Sequence, residues 1–257
     1  MKDGHVHSPY CPHGTKDGFD EYINNAIRKG LNEISFTDHI PLPSMPIKED
    51  LFNNCALSHE DTKLYINDIE LLKEKYENKI KINLGFEVDY IEGLEEEIIK
   101  ILNKYGEYIE DSILSVHFVK YNGEYRCIDM LDDFEYLLDK LGSLEKVYDL
   151  YYLTLLKSLK SDLGKFKPRR VGHPTLVRKF ALKYPHEYKN VDLLKEIVNE
   201  IVKNNYEVDF NSAGIRKELC GEKYPSGLLF DLINEANIKL VNGSDSHDAS
   251  TVGDFIE

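Results

Sequence analysis

Apolar positions along this chain fall into two alternating rhythms: short, nearly continuous runs, and stretches whose apolar residues recur at helical spacing. Phe19, Tyr22, Ile23, Ala26 and Ile27 keep the helical period, with Asp17 as candidate N-cap and Gly30 as a stop. Residues 31–37 then read as a short strand, and residues 58–77 as a helix. Residues 79–86 and 112–118 read as strands flanking a helix over 94–105. Residues 130–163 are helical with a break at Gly142. Strands over 169–172, 206–210 and 238–241 alternate with helices over 191–204 and 227–236. With a short first strand, the pattern makes seven strand–helix steps. Such alternation implies a parallel sheet, and seven steps imply a closed or nearly closed TIM-like barrel of the α/β class. A doubly wound open sheet is the alternative.

Two segments break the rhythm. Residues 41–57 are proline-rich and follow the second strand, which places them over its carboxyl end, as a lid or as a passive loop. Residues 121–127 read as a small polar loop or hairpin on the same rim. No interdomain linker or internal repeat interrupts residues 1–257, so a single domain is expected. A closing helix is expected after the last strand, so its absence reads as a clipped end.

Composition changes the picture in three ways. The net charge of −14 argues against a nucleic-acid groove, because phosphate backbones require basic surface. The four cysteines, Cys11, Cys55, Cys127 and Cys220, form no Cys-x-x-Cys pair and read as free thiols in a cytoplasmic protein. No stretch approaches transmembrane length, and no signal-peptide pattern opens the chain. No feature fixes the oligomeric state.

The chemistry lies in where the nine histidines fall. His5, His7, His13, His39, His117, His173 and His247 all sit at or just past a strand end, with Glu87 and Asp245. In a barrel of parallel strands these ends converge on one rim. A single His-x-His pair is weak evidence, and His117 or His173 taken alone is more often a packed core residue. The conjunction is different, because burying so many ionisable groups without a counter-charge is costly. Imidazoles and carboxylates together bind transition metals. His59 and His186 fall outside the pattern, His186 as a surface loop residue.

The sequence resembles the PHP (polymerase and histidinol phosphatase) superfamily over its whole length. The motifs are Asp3-Gly4-His5-Val6-His7-Ser8, Phe36-Thr37-Asp38-His39, Gly85-Phe86-Glu87-Val88-Asp89, Ser115-Val116-His117, Gly172-His173-Pro174 and Gly243-Ser244-Asp245-Ser246-His247. Residues 176–180 and 209–217 point, with less specificity, to the histidinol-phosphate phosphatase branch. The resemblance implies a distorted (β/α)7 barrel with three divalent transition-metal ions at the carboxyl ends of the strands. His5, His7, Glu87 and Asp245 would hold one ion; Glu87 would bridge to a second, completed by His117 and His173; His13, His39 and His247 would hold the third. Zinc is the first candidate, with iron and manganese as alternatives. It also implies a substrate, the small phosphate ester L-histidinol phosphate of histidine biosynthesis, giving L-histidinol and phosphate.

Such a centre suits phosphomonoester hydrolysis. Two ions about 3.5–4 Å apart can acidify a shared water to hydroxide and neutralise charge on the phosphoryl oxygens. Arg178 and Arg216 follow strand-end motifs and are the expected phosphate clamps, with surface ion pairs as the alternative. Lys179 and Lys217 are weaker candidates. Asp38 is expected to orient a ligand by hydrogen bonding or to protonate the leaving oxygen, and Asn211 to line the pocket. Glu207 and Asp209 read as barrel packing or solvent-facing. Rival readings are a phosphodiesterase or exonuclease of the same superfamily, another small-molecule phosphatase, and a metal-binding module without turnover.

Overall fold

The computed structural model describes residues 1–47 and 54–256. Its strands are β1 (Lys2–Val6), β2 (Glu33–Phe36), β3 (Lys81–Leu84), β4 (Glu87–Asp89), β5 (Ile113–Ser115), β6 (Phe118–Tyr121), β7 (Glu124–Cys127), β8 (Arg170–Val171), β9 (Glu207–Asn211) and β10 (Leu240–Gly243). One parallel sheet runs β1-β2-β3 and another β10-β9-β8-β5-β4.

Backbone bonds join the two sheets at both seams. At one, the Asp245 amide donates to the His5 carbonyl at 2.7 Å and the His7 amide to the Ser246 carbonyl at 2.9 Å. At the other, β3 and β4 are halves of one strand that changes partner, from β2 to β5, across Gly85 and Phe86. Glycine is required there: a Cβ on Gly85 would lie 1.5 Å from the Asp111 carbonyl oxygen. The result is a distorted (β/α)7 barrel, with β3 and β4 counted as one strand. The open-sheet alternative fails because β10 lies beside β1.

The interior is built from the fully buried Val6, Ile34, Phe36, Leu84, Val88, Leu114, Val171 and Val208, all from strands. Each such side chain stabilises by roughly 1.5–3 kcal/mol on leaving water. The helices lie where their apolar spacing predicts. The helix Phe19–Arg28 buries Tyr22, Ile23 and Ala26. Ser58 caps the helix His59–Tyr76 by accepting the Asp61 amide. Gly142, at φ 76°, ends the helix Leu131–Leu141 before Leu144–Lys160 begins, the break the sequence implies.

Asp17 is a correction. Gly18, without a side-chain bond, occupies the cap position. The Asp17 carboxylate instead accepts the Ala249 amide at 3.0 Å, fastening the first helix to the turn after β10. Residues 121–127 prove to belong to an antiparallel hairpin of β6 and β7, which rises directly after His117. Of the proline-rich segment, residues 48–53 lie outside the described residues, so its possible role as a lid does too. Among the described residues, no helix is long and apolar enough to cross a membrane.

Candidate metal centre

Every strand of the barrel except β3, the first half of the split strand, sends a polar side chain to one cluster. β1 contributes His5, and His7 follows two residues on, so the alternation of an extended chain turns both to one face. His13 follows in the next loop, His39 follows β2, β4 carries Glu87, His117 follows β5, His173 follows β8, and Asp245 and His247 follow β10. The structure brings all nine expected ligands together. The Glu87 carboxylate is the hub: Oε2 lies 3.1 Å from His5 Nε2 and 3.3 Å from the Nε2 atoms of both His7 and His39. Its Oε1 lies 2.8 Å from His173 Nε2 and 3.7 Å from His117 Nε2. Asp245 Oδ1 lies 3.3 Å from His7 Nε2.

Hydrogen bonding behind the rings decides what faces the hub. His13 Nδ1 lies 2.8 Å from the Asn54 carbonyl and His247 Nδ1 lies 3.1 Å from the Asp245 carbonyl. A carbonyl oxygen only accepts, so both Nδ1 atoms donate, and a neutral ring then presents a lone pair at Nε2. Those two Nε2 atoms are 2.9 Å apart. Burial, with His39 and His7 nearby, lowers His13 to about 4, and burial next to His7 pushes His247 well below its ordinary value, both of which favour the neutral ring. Two lone pairs facing at that distance repel unless a cation is shared between them. The donor set therefore fits a metal ion.

The same logic governs the rest of the hub. His5 Nδ1 is 2.8 Å from Asp209 Oδ2, His117 Nδ1 2.7 Å from Asp89 Oδ1, and His39 Nδ1 3.2 Å from Asp89 Oδ2. These carboxylates fix the tautomer that turns Nε2 inward. Without a metal, protons supply the positive charge. Burial alone would depress His5, but Asp245, Asp209 and Glu87 lift it to about 10; Asp89 and Glu87 overcome burial to do the same for His117. Burial would raise Glu87, yet His39, His5 and His117 hold it well below the usual carboxylate range.

Asp89 and Asp209 are the residues sequence reasoning passed over or left ambiguous. Their signal was present: each lies two residues from a polar strand-end residue, Glu87 or Asn211, on the same face. Cys11 also falls close, within 4.8 Å of ligand atoms of His7 and His247. His39 groups with Glu87 and His117, not with His13 and His247. Backbone strain marks the centre as well: His173 and Asp245 hold φ at 35° and 51°, in the left-handed region that such side chains rarely enter.

The cluster opens on a cavity of about 630 Å³, with His13, His39, Glu87, His117, His173, Asp245 and His247 along one side. Lys179 and Lys217 also line it, whereas Arg178 and Arg216 do not. Arg178, expected as a phosphate clamp, has its guanidinium paired with Glu222, at 2.5 and 3.1 Å, in the turn Leu176–Phe180. Arg216, the other expected clamp, has its Nη2 donating to the Ser244 carbonyl at 2.6 Å, and its buried Nη1 has no partner among the described residues.

Asp38 is buried and accepts the Ser8 amide on both oxygens, at 3.2 and 3.0 Å. It shapes the turn after His7 and is not among the residues that line the cavity. Asn211 is likewise behind the ligands, donating to Asp209 at 3.0 Å and to Asp245 at 3.1 Å. His59 bonds Tyr105, and His186 bonds Glu145, both away from the centre.

Comparison with known proteins agrees with this architecture. The PHP domain model matches residues 3–213. The chain is 39% identical to the histidinol-phosphatase of Bacillus subtilis over 255 residues, covering 98% of this chain and 95% of that protein. It is 28% identical to a probable histidinol-phosphatase of Deinococcus radiodurans, covering 98% and 88%. Among solved structures, a candidate histidinol phosphatase from Listeria monocytogenes superposes with a TM-score of 0.94 at 34% identity, covering 99% of this chain and 98% of that one. Histidinol phosphate phosphatase from Lactococcus lactis, complexed with zinc, L-histidinol and phosphate, shares the fold at a TM-score of 0.68 and 19% identity, covering 96% and 86%. With the barrel, its histidine-rich rim and these matches in agreement, the chain belongs to the PHP domain family.

Proposed function

We propose that this protein is a metal-dependent histidinol-phosphatase, which hydrolyses L-histidinol phosphate to L-histidinol and inorganic phosphate in histidine biosynthesis. The observation that carries the reading is the pair of inward Nε2 atoms on His13 and His247, 2.9 Å apart, beside a carboxylate hub shared by five imidazoles. The named relative at 39% identity across almost the full chain supports the substrate.

In this reading three divalent ions are held, one by His5, His7, Glu87 and Asp245, one by Glu87, His117 and His173, and one by His13, His39 and His247. Imidazole-rich sites with carboxylates suit zinc, with iron and manganese as alternatives. Bound there, such cations supply Lewis acidity and positive charge against the phosphate. The chain's own residues do the rest. Asp89 and Asp209 keep the ring tautomers inward, Glu87 sets the spacing of the ligands, and the strained His173 and Asp245 are held by the rim. Lys217, which lines the cavity without an ion-pair partner among the described residues, meets a phosphoryl oxygen, and Lys179 stands beside it. In the overall reaction a water oxygen bonds to phosphorus, the P–O bond to the alcohol breaks, and the alkoxide takes a proton. The proposal includes a cytoplasmic setting, supported by four free thiols.

The test combines elemental analysis with phosphate-release assays on L-histidinol phosphate and bis-(p-nitrophenyl) phosphate. Phosphate released from the monoester, and no turnover of the diester, is expected. Turnover of the diester alone would overturn the reading in favour of a phosphodiesterase, and stoichiometric metal with no turnover of any ester would leave a binding module.

A further inference from the structure

Four carboxylates line the cavity: Glu87, Asp89, Asp129 and Asp245. Three are committed to imidazoles of the cluster, Glu87 and Asp245 on the ligating face and Asp89 through both oxygens to His39 and His117. Asp129 alone bonds none of them. We infer that Asp129 recognises the protonated amine of the substrate and so selects cationic phosphate esters. The inference rests on the phosphatase reading above and deepens it.

Local structure sets Asp129 at a fixed distance from the reacting end. It follows β7, and the Ile128 amide donates to the His117 carbonyl at 2.8 Å, so the turn is tied to the strand end that carries His117. The Asp133 carboxylate accepts the Cys127 amide at 2.9 Å and holds the turn from the other side. Asp129 Oδ2 accepts Lys179 Nζ at 2.9 Å, and Oδ1 accepts the Cys127 thiol at 2.8 Å. Each carboxylate oxygen has two lone pairs, so each keeps an acceptor position. The side chain retains 24% exposure, and Phe118, Met130 and Leu176 line the cavity with it. Apolar walls raise the worth of a charge pair made there, because water screens it less.

The division of charge follows. The histidine cluster, with Lys217, takes the dianionic phosphate, and Asp129 takes the positive end of the same molecule. A neutral ester would leave Asp129 with a lone pair facing nothing, a penalty of the kind that separates substrates with a donor from those without.

The test uses the metal-loaded protein with L-histidinol phosphate and p-nitrophenyl phosphate, which has no amine. Asp129→Asn is expected to raise KM for L-histidinol phosphate by about tenfold or more while leaving p-nitrophenyl phosphate within about twofold. Asp129→Glu, which keeps the charge, should retain most of the discrimination. In the wild type, 3-(imidazol-4-yl)propyl phosphate, which lacks only the amine of the natural ester, should lose about tenfold in kcat/KM. That measurement needs no variant to fold. Equal losses on both esters in Asp129→Asn, or an amine-free ester turned over as well as the natural one, overturns the assignment while the phosphatase reading stands. A wild type that hydrolyses p-nitrophenyl phosphate but not L-histidinol phosphate overturns the functional reading itself.

Discussion

At the amino ends of the strands Arg170 donates to the Gly4 carbonyl at 2.7 Å and faces Asp111 at 3.2 Å, whereas at the carboxyl ends His13 and His247 turn lone pairs on each other at 2.9 Å. Both regions bury charge. Below, Lys2 meets Glu33 and Asp111, Ser35 donates to Asp111, and Asn83 donates to Glu33, so opposite signs meet in one network. Gly4 leaves space for the arginine, since a Cβ there would come within 2.6 Å of Nη1. Above, the facing Nε2 atoms of His13 and His247 have no cationic side chain paired with them among the described residues. A buried polar group with its counter-charge in the protein marks structure; facing acceptors mark a place built for something else.

The largest effect should come from the hub. Glu87→Ala is expected to lose bound metal by elemental analysis and to drop kcat/KM on the order of a thousandfold. Full metal content in that variant would break the contrast. Next, Arg170→Met should cost about 1–3 kcal/mol in denaturant unfolding, because it removes the bond to the Gly4 carbonyl and one of the two cations facing Asp111, while metal per folded molecule stays unchanged. A fall in metal content there would show the two ends to be coupled. Asp89→Asn should weaken metal binding by about 10–100-fold in a competition titration, since it loosens the His39 and His117 rings without removing a ligand. The smallest effect belongs to Arg178→Ala, with KM and kcat unchanged and stability reduced by about 1 kcal/mol or less. A raised KM would return Arg178 to the phosphate.

The rim was legible from sequence because parallel strands translate order along the chain into neighbours in space, and His117 or Asp245 needs only a strand end to be placed. The barrel followed from the same alternation. What lies between strands was less legible. Arg178 and Arg216 sit in short helical turns, Leu176–Phe180 and Ala213–Arg216, where one residue of winding separates a side chain facing the cavity from one facing away. Lys179 and Lys217, one position later in each, are the ones that line it. The Gly85 partner change was hidden too, because it depends on the approach of Asp111 from a distant part of the chain.

The seam between β1 and β10 has a consequence for synthesis. It sets Asp245 and His247 against His7, more than two hundred residues earlier, and the His13–His247 contact spans 234 positions. A cation held across that seam would act as a clasp between distant parts of the sequence, and such a link removes the most freedom from the unfolded chain when the loop it closes is long. A nascent chain on the ribosome would lack half the clasp until β10 emerges, so the centre would stay incomplete until that strand has been made.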